Sequence, residues 1–563
     1  MTDTKKLFNP DAVKNIKAEK KAWQAQTFGL QKKRNDDFHT LSGIPIQPLY
    51  TPADVSDLNY MQDLGLPGKE PFVRGVYPTM YRGRNWTIRQ LAGFGPPEET
   101  NKRYKFLLKE GASGINGVFD YPTLRGYDST DSIARADAGR GGVAIDTLED
   151  MQILFAGIPI EKISTSLVTC QPICNITVQS MYFANAKLRG IPLEKLTGTS
   201  QNDFLMETVI TVAPEVLPPR VSFKLSCDAI EFCTKYVPRW NPVSFSGYNY
   251  RESGSTAIQE VAFVISNAIA CCEELLQRGF EIDGFAARLS FFLSAHNDFF
   301  EEIAKYRAAR RIWCRIMKER FSAKDPRSFK FRFHVQTAGV ALTAQQPLNN
   351  IARAAYHGLA AVLGGAQSVH IDAYDEALCT PTEQSALTAL RTNQILQLET
   401  GITHTIDPLG GSYFIETLTD QLEQKIINTL DKIEEMGGIV EAVITGWIHK
   451  EISNAAYEYQ QAVNSGKIPI VGINCHQVEG EKLPMALFEV PETLRIQEEK
   501  LKQIKKKRNS TQAQRALDAI ARCCDKDGNL MEVIVDSVKT YVTEGEISRK
   551  LKDRYGTWNA PLF

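Results

Sequence analysis

The sequence predicts an α/β protein built round a (β/α)8 barrel with an open lumen. Three observations carry that expectation. Short β-branched runs alternate with amphipathic helical stretches. Eight such runs fall within roughly 255 residues, the count and length of a closed parallel barrel. The runs are also loaded with small polar side chains. Alternation of strand and helix specifies a parallel sheet, and a doubly wound open sheet is the competing arrangement.

The first 35 residues are Lys-rich, with Val13, Ile16 and Trp23 at helical spacing, and read as an exposed arm or partner-binding helix. Residues 40–70, punctuated by Pro and Gly, read as extended. Strands are expected at 115–119, 142–145, 164–169, 196–199, 243–246, 288–291, 331–335 and 368–371. Amphipathic helices are expected at 148–155, 178–186, 259–277, 299–320 and 348–363. Beyond residue 415 the pattern turns helical, with long runs at 421–435, 439–463 and 492–525 and a short strand at 471–474. The basic run within 492–525 reads as a solvated face. The expected units are therefore an arm and extended segment (1–70), a barrel (71–415) and a mostly helical region (416–563).

Composition narrows the function. The chain has 563 residues, 43% apolar and 23% charged, which is ordinary for globular proteins. With 65 basic and 66 acidic residues the net charge is −1, so no global excess argues for nucleic acid or an anionic membrane. No apolar run approaches the ~18 residues of a membrane span, and the N-terminus lacks a signal-peptide centre; a soluble cytoplasmic protein is expected. Eleven scattered cysteines without a C-x-x-C read as buried reduced thiols.

The strands carry a chemical message. A barrel of this kind normally fills its centre with Val, Ile and Leu. Here Ser164, Thr165, Ser166, Thr197, Thr199, Ser244, Ser246, Ser290, Gln336, Thr337 and Ser368 stand on strands or at their ends. Such side chains cannot close-pack and are costly when unpaired, so a lumen holding a long polar ligand is expected. Polar clusters at the strand ends, such as Gln201-Asn202-Asp203 and His334-Val335-Gln336-Thr337, occupy the catalytic end of a barrel. Yet no Ser-His-Asp order, H-E-x-x-H or P-loop accompanies them, and no metal ligand set is expected. Groups that hydrogen-bond without a nucleophile point to chemistry borrowed from a cofactor.

Ordered motifs run through most of the chain. They include Tyr77-Pro-Thr-Met-Tyr81, Trp86-Thr-Ile-Arg-Gln90, Phe119-Asp-x-Pro-Thr-x-Arg-Gly-Tyr-Asp128, Gln201-Asn-Asp203, Ser246-Gly-Tyr248, Arg288-Leu-Ser-Phe-Phe292 and Leu342-Thr-Ala-Gln345. Over about residues 50–560 the chain resembles the adenosylcobalamin-dependent methylmalonyl-CoA mutase family. That resemblance implies a lumen through which an acyl-CoA's pantetheine threads. Tyr77, Thr79, Met80, Arg84, Thr87 and Arg89 match positions that contact CoA. Thr199, Arg288, Ser290 and His334 match positions along the pantetheine or its thioester. Gln201 and Gln336 match hydrogen-bond donors near the acyl carbonyl. Tyr248 matches the tyrosine that helps displace the adenosyl group. Glu376 matches the carboxylate that grips the adenosine ribose, with Asp372 beside it in place of a usual amide. The family's D-x-H-x-x-G cobalt-ligand motif is not found; the nearest string, Asp37 to Gly43, has its Gly one place late. The resemblance therefore implies the large subunit of a split mutase. Its partners would be a small cobalamin-binding subunit in a heterotetramer and a G-protein chaperone.

Departures from the family pattern concern the acyl group. Thr211 stands where the methylmalonyl enzymes carry an arginine for the substrate's free carboxylate. Leu91 replaces their tyrosine and the phenylalanine of isobutyryl-type enzymes. Val118 replaces the aspartate of the 2-hydroxyisobutyryl type. Asn249 stands at the usual histidine; it can donate to a thioester oxygen but cannot act as a general acid. The expected substrate is a branched acyl-CoA without a second carboxylate, of isobutyryl or pivalyl type, with 2-hydroxyisobutyryl-CoA as the alternative. A noncatalytic scaffold and a plain-barrel lyase are the readings from other classes.

Overall fold

The computed structural model describes residues 7–30, 38–211, 215–481 and 490–561. Ten parallel ladder segments form two five-stranded sheets. They are β1 (Thr87–Ile88), β2 (Leu91–Ala92), β3 (Gly114–Val118), β4 (Ser164–Val168), β5 (Thr197–Ser200), β6 (Trp240–Asn241), β7 (Ser244–Ser246), β8 (Ser290–Ala295), β9 (Phe333–Thr337) and β10 (Ser368–His370). One sheet runs β2-β3-β4-β5-β6, the other β1-β10-β9-β8-β7.

The two sheets are continuous through the chain. β1 and β2 are one extended segment interrupted at Arg89 and Gln90, and β6 and β7 are another interrupted at Pro242 and Val243. Hydrogen bonds cross both interruptions: Ser113 N–H donates to Ile88 O at 3.3 Å, and Ser244 N–H to Gln201 O at 3.2 Å. At the first, the Gln90 side chain stands in for the ladder and donates to Ile371 O at 3.2 Å. The segments thus make eight strand positions in a ring, the (β/α)8 arrangement.

One expected strand is replaced by another. Residues 142–145 form no strand; Val143 only bridges Gly95 and Phe119 across the strand ends. Gly142 lies so close to the chain there that a Cβ would sit 2.0 Å from the Phe119 carbonyl carbon. The true first strand is 87–92, hidden in the sequence by the polar Arg89-Gln90 at its centre. The short strand expected at 471–474 is a turn with a lone Val471–Cys475 bridge. Asn474 closes it by accepting from Ile470 N–H at 2.7 Å and donating to the Val463 and Ile468 carbonyls.

Helices cover the ring. Pro97–Lys109, Pro172–Leu188 and Pro219–Tyr236 each begin with proline, which loses no hydrogen bond at that position. Leu148–Leu154 and Ala257–Gln277 begin with capping boxes on Thr147 and Thr256. The Asp298 side chain caps Phe299–Glu319 and that of Thr382 caps Glu383–Leu398, while Asn350–Leu363 completes the set. The core is the annulus between strands and helices. Ile115, Leu167, Trp240, Phe245, Leu293, Val335 and Val369 face outward into it, nearly all of their surface removed from water. Each such burial contributes about 2 kcal/mol. This apolar cluster extends without a break into the C-terminal helices, to Leu551.

The N-terminal helix, Pro10–Leu30, is tied down by Lys20, which pairs with Asp54 at 2.8 Å. No described helix is long and apolar enough to cross a membrane. Eight of the eleven cysteines are buried.

The last helices clamp the loop that follows β3. In Thr493–Lys507, Gln497 donates to Asp146 at 2.9 Å and Lys500 pairs with Glu98 at 2.8 Å, while Lys506 and Lys507 stay exposed. Thr543 caps Glu544–Tyr555, its hydroxyl donating to Asp128 at 2.8 Å. Glu544 is fully buried and neither carboxylate oxygen has a donor. Burial, reinforced by Asp128, Asp146 and Asp120, holds its carboxyl well above the ordinary value of 4.5. The folded state therefore binds a proton that the unfolded chain releases, and stability falls as pH rises from that ordinary value toward the folded one. Thermal melts of Glu544→Gln should show a shallower fall in midpoint between about pH 5 and pH 8 than those of the parent chain.

Candidate functional site

A cavity of about 1200 Å³ follows the ring's axis. It is lined both by residues that precede the strands, such as Lys162, Arg239 and Arg332, and by residues that follow them, such as Gln201, Tyr248 and Glu376. It is therefore a passage from one mouth to the other. The side chains on its wall recur with the two-residue period of a strand: Asn116 and Val118; Ser164, Ser166 and Val168; Thr197, Thr199 and Gln201; His334 and Gln336. Register stacks them in layers, with Asn116 beside Ser166, Ser166 beside Thr199, and Thr199 beside Asn241. Small side chains at these places leave the axis hollow.

The mouth at the strand beginnings is cationic. Arg84, Arg89, Lys162, Arg239 and Arg332 line it, and Arg288 lies just outside the lining, close enough to feel Arg332, Arg327 and Arg239. Arg89 donates to Ser164 Oγ at 2.5 Å, and burial together with Arg84 pulls its guanidinium down to about 10. No described ion pair neutralises Arg84, Arg89, Lys162, Arg239 or Arg332. Tyr77, Thr79 and Met80 complete this mouth, with Met80 buried at φ 39° where its sulfur packs against Gly75. A set of unneutralised guanidiniums at a half-buried mouth suits phosphates.

Midway, His334 Nδ1 lies 2.8 Å from Ser368 Oγ while its Nε2 is buried without a partner. Burial, then Arg89 and His370, keep the ring neutral, far below its usual range. That orphaned nitrogen shares the wall with Thr87, with Thr199, which accepts from Asn241 at 3.1 Å, and with Ser290, which donates to Val243 O at 2.7 Å.

At the far mouth the hydrogen bonds sort donors from acceptors. Gln336 Nε2 donates to Tyr248 Oη and to Asp372 Oδ1, both at 2.8 Å. Its two amide hydrogens are spent, so it offers the cavity an acceptor rather than the donor expected from sequence. Asp372 does not line the cavity; its other oxygen accepts from Thr337 at 2.9 Å, and His370 Nε2 lies 3.0 Å from Oδ1. It orients Gln336 from behind the wall. Gln201 Oε1 accepts from the Cys170 thiol, which leaves Gln201 Nε2 without an acceptor among the described residues. Asn249 Oδ1 accepts from Ser246, leaving its amide hydrogens free likewise. Tyr248 stacks on Phe292, ring centroids 4.9 Å apart and 9° from parallel. Thr211, at the end of the π-helix Met206–Ile210, donates its hydroxyl to Met206 O at 2.9 Å. Leu91, Val118, Val168, Met206 and Ile210 line this end, and Val118 and Val168 are register partners. Arg125 also lines the cavity, but over the Tyr121 ring at the outer rim.

Seventeen of the nineteen residues singled out by the family resemblance line this one cavity, and Arg288 and Asp372 stand just behind it; of the eleven polar strand residues expected in the lumen, Thr165, Ser246 and Thr337 lie off its wall. Missed were Lys162, Arg239 and Arg332. Their signal was legible: each is a cation one or two places before a strand, as Arg288 is before β8. Cys170 and Glu252 were missed as well. Glu252 accepts from Val340 N–H at 2.7 Å, keeps a buried oxygen unpartnered, and is pushed up to about 8 by burial and then Asp372.

An eight-position barrel hollow along its axis, cationic at one mouth and lined by amides at the other, has the shape and charge to take a long phosphate-bearing ligand. The chain belongs to the methylmalonyl-CoA mutase family, whose model matches residues 39–557. It is 42% identical to the 2-hydroxyisobutanoyl-CoA mutase large subunit of Aquincola tertiaricarbonis over 99% of this chain and 100% of that one. It is 42% identical to the mitochondrial methylmalonyl-CoA mutase of Mus musculus over 94% of this chain and 71% of the relative. For the methylmalonyl-CoA mutase of Cereibacter sphaeroides the identity is 41%, over 96% and 76%. The chain is an isomerase of the mutase type, and adenosylcobalamin is the family's cofactor.

The far mouth suits that cofactor's ribose. Glu376 lines it, and Glu252 and the Tyr248 hydroxyl meet it round Gly339, where a Cβ would come within 3.1 Å of Glu252 and 3.4 Å of Tyr248 Oη. Burial, then Asp372 and Glu252, hold the Glu376 carboxyl well above its ordinary value, and protonated carboxyl groups, which both donate and accept, fit vicinal hydroxyls. Arg239→Ala should raise the dissociation constant for an acyl-CoA about ten-fold and flatten its salt dependence. Calorimetric titration at two ionic strengths, with an unchanged melting midpoint as control, checks this.

Proposed function

We propose that this chain is the large subunit of an adenosylcobalamin-dependent mutase that rearranges the carbon skeleton of a branched acyl-CoA lacking a second carboxylate. Isobutyryl-CoA and pivalyl-CoA are the substrates that fit best. The observation that carries the reading is the apolar end of the cavity. Leu91, Val118, Val168, Met206 and Ile210 surround it, and Thr211, its hydroxyl already committed, offers no cation. A carboxylate taken out of water there would cost several kcal/mol.

The division of labour follows from the passage. The cations of the first mouth hold the nucleotide phosphates. The polar wall, with His334 Nε2, satisfies the pantetheine amides. Gln201 Nε2 and Asn249 Nδ2 converge on the thioester oxygen and fix the acyl group, as Val118 and Leu91 fix its branch. Tyr248, stacked on Phe292, closes the acyl end against water. Glu376, with Glu252, holds the ribose. Bound adenosylcobalamin supplies homolytic cobalt–carbon chemistry, and the protein contributes positioning and a dry cavity.

In this reading the barrel of residues 71–415 binds acyl-CoA and residues 416–563 support it. The corrin arrives on a separate small subunit, with which the chain forms a heterotetramer serviced by a G-protein chaperone. The full-length match to a relative named as a large subunit supports the separate small subunit. So do the exposed apolar side chains Tyr121, Ile133, Val340 and Leu348, on loops beyond the strands' far ends. A second reading, 2-hydroxyisobutyryl-CoA as substrate, is favoured by that same relative's name; Val118, which cannot accept from a hydroxyl, stands against it.

A panel of acyl-CoAs offered to the chain reconstituted with a cobalamin-binding small subunit tests the proposal. Isobutyryl-CoA or pivalyl-CoA should turn over fastest, and the chain alone should turn over nothing. Preference for a hydroxylated or dicarboxylic acyl group would refute the assignment. Within that assay, Val118→Asp should lower isobutyryl-CoA turnover at least ten-fold, because it places a carboxylate against an alkyl branch. Thr211→Arg should bring no gain with that substrate.

A further inference from the structure

Cys170 is the one cysteine on the cavity wall. It follows β4, two residues beyond Val168, and the backbone holds it rigidly: Asn202 N–H donates to Thr169 O at 3.2 Å and Asp203 N–H to Cys170 O at 3.0 Å. Its Sγ lies 2.7 Å from Gln201 Oε1. Burial and the nearby Asp203 push the thiol up to about 12, so it keeps its proton and is a donor. An amide can face such a neighbour in two ways. With Oε1 toward the thiol, the S–H is satisfied and both N–H groups face the cavity. With Nε2 toward it, sulfur is a weak acceptor and the amide oxygen would face the substrate's carbonyl oxygen, a repulsive pair. Gln336 cannot compensate, since Tyr248 and Asp372 take its hydrogens.

We infer that Cys170 is a positioning residue of this enzyme: its thiol donates to Gln201 Oε1 and thereby turns the Gln201 amide nitrogen toward the thioester oxygen of the acyl-CoA. The inference rests on the acyl-CoA reading above and names the device that sets the polarity of its carbonyl-binding group.

Cys170→Ala and Cys170→Ser, in the full chain, separate this role from simple packing. Two ligands are titrated calorimetrically without cofactor: isobutyryl-CoA, and isobutyl-CoA, the thioether that lacks the carbonyl oxygen. Cys170→Ala should weaken isobutyryl-CoA about five-fold and leave the thioether unchanged. Cys170→Ser, which keeps a donor, should restore most of the loss. Equal weakening of both ligands, no weakening of either, or a serine variant as poor as alanine overturns the inference while the acyl-CoA reading stands. A parent chain that binds neither ligand overturns both.

Discussion

The strands of this barrel face inward with side chains too small and too polar to fill it. Everything else in the structure answers to that constraint. Serines, threonines and asparagines at successive layers leave a hollow that aliphatic side chains would have closed, so the interior contributes little apolar burial. Cohesion comes instead from the annulus, where Leu167, Trp240, Phe245, Leu293 and Val335 pack beneath the helices. An inverted alternation, apolar outward and polar inward, is what allows a stable ring to remain a passage.

The polar interior must still be held in place. Much of the wall is braced from behind. Lys305, fully buried, pairs with Glu260 and Glu302 and donates to Ser294 O, while Glu260 accepts from Ser294 N–H. Asp203 accepts from Ser246 N–H, Tyr250 Oη and Asn267 at the end of β5. Such buried ionic and amide networks cost desolvation and return geometry. Here they anchor the strand ends from which Gln201, Tyr248 and Asn249 project. Among the described residues the cations of the opposite mouth have no carboxylate partner; Arg332 donates only to neutral oxygens, such as that of Asn241 at 3.4 Å.

Much of this was legible in advance. Small polar residues at strand positions announced the hollow, and seven of the eight expected strands were placed within a few residues. The eighth was not. Arg89 and Gln90 interrupt the alternation of residues 87–92 because there the strand hands its hydrogen bonds from one neighbour to the other, a tertiary event with no local pattern. Residues 142–145 carried a β-like composition but cross the strand ends instead of joining them.

By itself the sequence determined that small polar residues stand on the strands and where each lies along them, because a two-residue period needs only the chain's own order. It also determined the absence of an arginine at Thr211 and of an acceptor at Val118. Only the tertiary structure decided which polar atoms remain free. Gln201 and Gln336 are equivalent as letters, yet Cys170 leaves the first with its hydrogens and Tyr248 with Asp372 takes those of the second. Hydrogen bonding is a competition among neighbours from distant strands, and its outcome is settled when the ring brings them within about 3 Å.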